Sequence, residues 1–545
     1  MIQTTAPIAR WARVPNETLS GTQQIGVVAF HKDGIKEVRY RIVTSDISKK
    51  TAEDLTMLLS DWGTAATRSD LNKDGVVDAQ DMSILLANFG TNGHTFVITE
   101  SNFNHTTKIP EYSFDYDFDT LADGEIIFIH ARVEANDGSV LELTAPFDGF
   151  NAREGLYALP LQKTWTSKTW YVSQTGNDAN DGILLPFATY AKAVTKVTCG
   201  DTIQFSDGEH ILTQPPNQSG LVKPGIGKWL ILKGGCDTTL WANGTFRLTA
   251  ETKFENITFD LGRTGYITNK QCWWDNCRFV SPSNHAWWDE AVRIHGAPSA
   301  EFKVNTKNTS IVVFRSTDVS WHYFSDCSLE HYESGYANSP MVRNSTIRRI
   351  WGDALKQANG VYNVDVSEQF GWMSPIHTDL YQLWNANNNV IVYGVNAHRL
   401  ESVQGIFIRV VDVPRPEYEA GVSVQTVLSN AAFIDCTIEH APKARDAITN
   451  WGGPPWTQFR NKFNHILLQN MRLTHQRIFF GGTTEEGWEQ SDHQNFVIRD
   501  SDLHWSFIEE MKSPTGKFAL QVDGSYKHKT EGIQTFGCFN SVPKG

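Results

Sequence analysis

The sequence predicts a mainly β chain: a right-handed parallel β-helix preceded by an immunoglobulin-like β-sandwich, with a small helical module inserted into the sandwich. Three observations predict it. Nine short segments between Phe254 and Leu503 share one eight-residue cadence. Six short strands with turn signals occupy the first 150 residues, and a ten-residue helical motif occurs twice among them, 27 residues apart.

The strands of the sandwich are Gln24–Phe30, Glu37–Ile42, Thr95–Ile98, Tyr112–Phe118, Glu125–Val133 and Val140–Leu143, and Asn136-Asp-Gly138 is a hairpin turn between the last two. Short strands and turns over about 100 residues suggest an immunoglobulin-like sandwich, here made of residues 1–42 and 92–150. Residues 43–91, between its second and third strands, differ in character. Asp54-Leu-Thr-Met-Leu-Leu-Ser-Asp-Trp-Gly63 recurs as Asp81-Met-Ser-Ile-Leu-Leu-Ala-Asn-Phe-Gly90, and each copy reads as one amphipathic helix.

Before the second helix stands Asp70-Leu-Asn-Lys-Asp-Gly-Val-Val-Asp-Ala-Gln-Asp81. Oxygen donors at its first, third, fifth and twelfth positions, with Gly75 sixth, are what a calcium loop requires, because hard oxygens must converge on a sharp turn. One ion is expected, held by Asp70, Asn72, Asp74, the Val76 carbonyl and Asp81, with Asp78 acting directly or through water. The loop and its following helix, with Asp rather than Glu at the twelfth position, resemble a dockerin repeat. Shifting back by 27 residues puts Val43, Ser45 and Ile47 where Asp70, Asn72 and Asp74 stand, so the first copy cannot bind calcium in the same way. The departure from a paired calcium repeat favours a spacer or stiffening role over grip on a partner.

After a linker, 151–169, the β-helix is expected over 170–505. Its repeated segments centre on Asn256, Asn276, Asp326, Asn344, Asn363, Gly394, Asp435, Asn470 and Asp500, unevenly spaced. In most, a small or apolar residue follows the centre, then a polar one, then an apolar one. That alternation is a strand with one face buried, and uneven spacing is what a coil with outward loops of varied length produces. Cys277, Cys327 and Cys436 fall at one place in three coils, which predicts a buried ladder rather than bridges. The seven cysteines give no disulfide framework. Residues 506–545 read as a C-terminal tail.

The start of the solenoid, Trp170-Tyr-Val-Ser-Gln-Thr-Gly-Asn-Asp-Ala-Asn-Asp-Gly182 with Pro186–Val194 and Gly200–Phe205, resembles the opening of pectate-lyase-like β-helix proteins. The resemblance implies an amphipathic capping helix before the first coil, which hides a solenoid end that would otherwise expose its core. It implies the fold and leaves the activity open, because this fold carries lyases, hydrolases, epimerases and phage spikes alike.

Composition narrows the function. The formal net charge of −13, from 48 basic and 61 acidic residues, argues against a nucleic-acid partner. No apolar run reaches the roughly 20 residues of a membrane span. Met-Ile-Gln-Thr-Thr-Ala-Pro at the start has neither the basic residue nor the apolar core of a secretory signal, so the expectation is either a signal already removed or a protein that reaches the outside without one, as a virion component released by lysis does. Aromatic residues make up 12% of the chain, including 18 Trp. Pairs such as Trp273-Trp274 and Trp287-Trp288 suit either a core or a sugar-stacking surface.

Candidate chemistry lies in Gly352–Lys356, Ile376–Gln382, Gln404–Arg409 and Arg445–Ile448. The repeated pattern of Asp, Ala or Leu, then a larger residue puts Asp353, Asp379 and Asp446 in one column. Alternation places His377, Asp379 and Tyr381 on one outward face. A uronate lyase needs a base and a cation for the developing enolate, for which Lys356, His377 and Arg409 are candidates. A glycoside hydrolase needs two carboxylates, for which Asp353 and Asp379 are candidates. Turn-capping Asp residues or glycan binding without cleavage explain the same pattern. Tyr381, Trp384 and Trp451 are the candidate glycan-stacking residues. An immunoglobulin-like front end, a β-helix body and a short C-terminal tail resemble phage tailspike or tail-fibre proteins. The resemblance implies a virion tail protein, a homotrimer joined to other tail proteins through its N-terminal domain, that recognises a host polysaccharide and also depolymerises it if the carboxylates are catalytic. The alternative is a secreted bacterial polysaccharide lyase or glycoside hydrolase.

Overall fold

The computed structural model describes residues 5–14, 18–44, 52–66, 69–70, 75–87, 94–120, 126–143, 159–163, 167–198, 200–213, 229–242, 246–247, 250–260, 267–268, 272–280, 322–332, 336–337, 339–350, 353–356, 358–369, 379–384, 389–400, 404–409, 427–440, 456–460, 462–480 and 492–542. Asn72, Asp74, Trp287, Trp288, His377, Asp446 and Trp451 lie outside the described residues, as do the side chains of Trp384 and Arg409.

All six expected sandwich strands form. One sheet orders Ile8–Trp11, Thr22–Phe30, Ile109–Asp117 and Asn102–Asn104. The facing sheet orders Thr18–Leu19, Leu159–Lys163, Ile126–Ala135, Ile35–Thr44 and His94–Ile98, with Val140–Leu143 also on Ile126–Ala135. Gly138, at φ +84°, makes the turn between the last pair, its N–H donating to the Ala135 carbonyl. Leu159–Lys163 lies in the stretch expected to be linker, so the sandwich continues past 150. Pro160 disguises that strand. The described pairing with Thr18–Leu19 involves Gln162 and Lys163, and Pro160 stands opposite Phe128 on the other side.

The insert replaces a hairpin turn. Ile35–Thr44 and His94–Ile98 are adjacent antiparallel strands, from Val38 opposite Ile98 to Ile42 opposite His94. Between them lie helices Ala52–Ser60 and Ala79–Ala87, with a small core of Leu58, Val77 and Leu85. Arg41 of the sandwich holds the first helix through Asp54, Nη2 to Oδ2 3.0 Å.

Beyond residue 169 the chain winds through three sheets in turn, most strands parallel to their neighbours one coil away. That circuit is a parallel β-helix. The first sheet has fifteen described strands, the second eleven and the third six, from Tyr336–Ala337 to Arg477–Phe480. From Thr252–Glu255 onward, the passage from first to second sheet takes two residues in every coil. The first of the two is the repeated Asn, Asp or Gly, at φ between +49° and +67°. Only Gly, Asn and Asp enter that left-handed region cheaply, which is why they mark the repeat. The side chains also bond along the axis, Asn276 Nδ2 donating to Asn256 Oδ1 (2.9 Å) and Asn470 Nδ2 to Asp435 Oδ1 (2.7 Å).

The second turn residue points inward. Cys277, Cys327 and Cys436 all occupy it and all are buried. The thiols do more than fill space: Cys327 Sγ donates to the Ser325 carbonyl (3.3 Å) and Cys436 Sγ to that of Ile434 (3.2 Å). Ser345 and Ser501 hold the same position and make the same bond two residues back, both at 2.7 Å. Inside the coil Phe254, Trp274 and Phe324 stack, with centroids 4.3 and 6.3 Å apart. Trp273 faces the other way, into the core it shares with the sandwich.

That shared core is extensive. Ile8, Trp11, Val27 and Ile109 of the sandwich join Trp229, Trp273, Tyr323, Tyr362, Ile391 and Leu467 from the outer side of the first sheet. The Asn389 side-chain amide grips the Ala9 backbone, its Oδ1 accepting from the N–H at 2.7 Å and its Nδ2 donating to the carbonyl. Arg343 Nη1 donates to the Ala12 carbonyl (2.7 Å) and Arg499 Nη2 to that of Lys32 (2.9 Å). At the far end, residues 506–542 are a folded cap instead of a tail. Helix Trp505–Lys512 buries Phe507, Ile508 and Met511 against the core, and Ile533–Phe536 extends the first sheet by one coil. At the near end the expected capping helix is a single turn, Tyr190–Ala193.

Candidate functional site

The third sheet carries the predicted residues. Leu355 and Lys356 pair with Tyr381 and Gln382, which pair in turn with Ile406 and Phe407. In these first two rungs two consecutive residues point into the core, Ala354 with Leu355 and Leu380 with Tyr381, whereas the next buries Ile406 and Ile408. A strict alternation is therefore broken, and the residues on either side of the inward pair share the outer side. Asp353 and Lys356 meet there, Nζ to Oδ2 3.5 Å, as do Asp379 and Gln382, Nε2 donating to Oδ2 at 2.7 Å. The result is two columns, Asp353 with Asp379 and Lys356 with Gln382, about 4.8 Å apart along each, and backbone register carries them on to positions 404 and 407.

Asp353 and Asp379 thus stand on neighbouring coils, and the Asp379 N–H donates to Asp353 Oδ1 at 3.0 Å. Gln369 Nε2 donates to the Asp379 carbonyl at 2.9 Å. The Asp379 side chain is completely buried, whereas those of Asp353 and Lys356 remain 14% and 39% exposed. The open face expected around Asp379 is corrected accordingly: its carboxylate is tied to Gln382, and Asp353 is the acid that reaches solvent. Tyr381 requires a larger correction. It is 1% exposed, its ring meets Phe433 edge-on, and its hydroxyl donates to the Ala358 carbonyl at 2.7 Å. It is a core residue and offers no face to a sugar.

Backbone register places Trp384, Arg409 and Arg460 as partners on three successive coils. Gln382 was missed by the sequence reading. Its Oε1 is buried without a hydrogen-bond partner, the mark of an acceptor awaiting a donor. The signal that finds it is its place opposite Lys356. All the long connections from Tyr336 onward flank this sheet: 370–378 leads into it, 410–426 and 481–491 lead out, and 441–455 leads in again.

In the insert, Asp70 Oδ2 accepts from the Gly75 N–H at 2.9 Å, and Gly75 adopts φ +93° with open space around it. Asp81 is fully buried, with Oδ2 accepting from the Asp78 N–H at 2.9 Å, while Asp78 Oδ1 caps the second helix through Gln80 N–H. A loop closed at its first and sixth positions, with a buried carboxylate at the twelfth, fits a calcium ion in its donor chemistry. The carboxylates of Asp70, Asp78 and Asp81 do not all lie within 4.8 Å of one another. Among the described residues, His31, Asp33 and Asp137 are the group that does converge. There the Asp33 N–H occupies Nδ1 of the imidazole and Thr5 occupies Nε2, so no lone pair is left for an ion.

No protein-family model and no curated protein sequence matches the chain. Among the solved structures that align along it are two polysaccharide-acting enzymes. The family 28 exopolygalacturonase of Yersinia enterocolitica is 10% identical, with 99% of this chain and 97% of that one covered and a TM-score of 0.29. The catalytic domain of a GH87 α-1,3-glucanase in complex with nigerose is 11% identical, with 98% and 95% covered and a TM-score of 0.26. Similarity at that level carries no argument about activity, and the fold rests on the strand circuit itself.

Proposed function

We propose that this protein recognises a polysaccharide laid along the third sheet of its β-helix. The observation that carries this reading is the placement of the long connections. A solenoid whose first-to-second-sheet turn is fixed at two residues, and whose insertions from Tyr336 onward flank one other sheet, puts its variable surface where a chain-like ligand can lie across successive coils. The same sheet carries Asp353, Lys356 and the buried, unpaired acceptor of Gln382. The Trp384–Arg409–Arg460 row supplies an aromatic and two cationic residue types for sugar stacking and for carboxylate or sulfate. Asp353 is the candidate general acid or base, with His377 and Arg409 as further candidates for catalysis and Trp451 for stacking.

A virion tail setting follows from the resemblance to tailspike-type proteins, with the immunoglobulin-like sandwich as the attachment domain, a homotrimer as the assembly and one calcium ion stiffening the dockerin-like insert. A specific observation favours the second setting, a secreted polysaccharide hydrolase or lyase. The outer side of the first sheet is already covered by the chain's own sandwich and is closed to a second copy. Incubation with a panel of polysaccharides, reading reducing ends and the absorbance of unsaturated uronate, tests the proposal. New reducing ends without that absorbance identify a hydrolase, both signals a lyase, and retention of a glycan without either a binding protein. Absence of all three across neutral, uronate-rich and sulfated polymers refutes the reading.

A further inference from the structure

We infer that the seam between sandwich and β-helix is an acid-released latch built on His31 and His465. The two imidazoles meet across the seam with centroids 4.6 Å apart and rings 60° to one another. His31 lies at the end of the sandwich strand Thr22–Phe30, and His465 lies within the first-sheet strand Lys462–Gln469. Both side chains are buried. One proton can be accommodated on the His31 side, because Asp137 Oδ2 lies 3.7 Å from Nε2 and Asp33 Oδ2 lies 4.0 Å from Nδ1. Facing His465, the Ala6 carbonyl and, more weakly, the same Asp137 carboxylate favour its protonated form, but burial, His31 and Lys32 oppose it and burial dominates. His465 Nδ1 is 3.1 Å from Asn430 Oδ1, its Nε2 accepts from the Lys32 N–H at 3.4 Å, and Arg499 reaches the carbonyl of that same Lys32. Two imidazolium ions beside Lys32 and Arg499 in a buried seam repel one another strongly.

Burial first, then the neighbouring His31, hold His465 down to about 3, and burial lowers His31 as well. A base depressed in the closed state leaves that state fully stable above the free imidazole value of about 6.5, and stability is lost as pH falls toward the closed-state value. His465 alone disfavours the closed seam about 100-fold by pH 4.5. Another group on the seam acts with the opposite sign. Glu111 is fully buried between Arg13 and Arg343, and its carboxyl is pushed up to about 7 by burial. Its protonation as pH falls through that value favours the closed state, so the native seam resists mild acid and gives way at lower pH than His465 alone dictates.

Glu111→Gln fixes the counterweight in its neutral form and exposes the latch. The readout is hydrogen exchange of the full-length protein at Ile8–Trp11, corrected for intrinsic rates, with Asn396–Leu400 of the solenoid's second sheet, away from the seam, as internal reference. E111Q is expected to lose at least 10-fold of its Ile8–Trp11 protection between pH 7.5 and 4.5 while the reference holds. Adding His465→Asn, a residue suited to the φ of +59° there, is expected to abolish that loss. If E111Q does not fold, H465N against the native protein at pH 4.0 decides, the variant keeping at least 10-fold more of its neutral-pH protection. Protection that does not change with pH in E111Q, a loss that H465N leaves in place, or equal loss in the reference segment overturns the inference.

Discussion

Replacing Tyr381 separates the two roles that the sequence and the structure assign to it. As a glycan-stacking residue it would affect binding and leave stability alone. As the buried ring described here, it should do the reverse. Tyr381→Phe removes the hydroxyl that donates to the Ala358 carbonyl and leaves that acceptor unsatisfied, a cost of about 1 kcal/mol. Tyr381→Ala also removes the ring packed against Phe433, next to an apolar void lined by Leu355, Val392, Ile406 and Ile438. A cavity of that kind costs about 3–5 kcal/mol. In a solenoid the loss falls mainly on adjoining coils. The assay is therefore hydrogen exchange at Val390–Tyr393 and Gln404–Arg409, alongside glycan affinity at a temperature where the variants remain folded. Y381F should lower local opening free energy by about 1 kcal/mol with affinity unchanged, and Y381A by several times as much. A Y381F protein with native exchange and weakened glycan binding would falsify the core assignment.

Further outcomes follow from the same geometry. Calorimetric titration with calcium should give one site, abolished by Asp81→Ala, and chelation should loosen 43–91 while exchange in the β-helix stays native; two sites or none refutes the loop assignment. Lys356→Ala, Gln382→Ala, Trp384→Ala and Arg409→Ala should each weaken glycan retention, and native affinity in all four moves the site off the third sheet. Cys436→Ser should cost less than about 1 kcal/mol because Ser345 and Ser501 already make the same bond, whereas Cys436→Val loses the donor and should cost about 1 kcal/mol more, as read from urea midpoints.

The solenoid was legible because its most repetitive feature is a backbone requirement. A two-residue turn that enters the left-handed region admits Asn, Asp or Gly first and a small inward residue second, and both constraints leave letters in the sequence. The columns of the third sheet were half legible. Asp353 and Asp379 were placed together by the pattern they share, and the structure brings them to 3.0 Å through the Asp379 N–H. Tyr381 was misplaced because alternation assumes one residue in and one out, whereas Leu380 and Tyr381 both turn inward. A polar residue three positions before another, around two apolar ones, was the clue that the alternation breaks. Leu159–Lys163 was missed because a proline inside five residues reads as a breaker. The packing of sandwich on solenoid left no local trace, since Ala9 and Asn389 are 380 residues apart.

That packing bears on assembly. Three solenoids side by side need lateral faces that can lose water, and a stable contact buries about 800 Å² per partner. The first sheet is covered by the sandwich. The outer side of the second carries Arg278 with Glu330, Arg349 with Glu368 and Arg472 with Glu439, at 3.9, 2.8 and 3.5 Å, and each of these arginine side chains is 46–57% exposed. Surface pairs of this kind add little stability where they are, and burying them costs more than their attraction returns unless a partner is exactingly complementary. The third sheet is where a ligand is proposed to lie. The expected state in dilute solution is therefore a monomer of 61.3 kDa. Light scattering at a mass three times larger would show that the second sheet does meet another copy, and would restore the trimeric tail arrangement over the secreted one. A trimer that dissociates in moderate salt would trace the contact to those arginines, because pairs between exposed charges are screened within about 10 Å at 0.1 M.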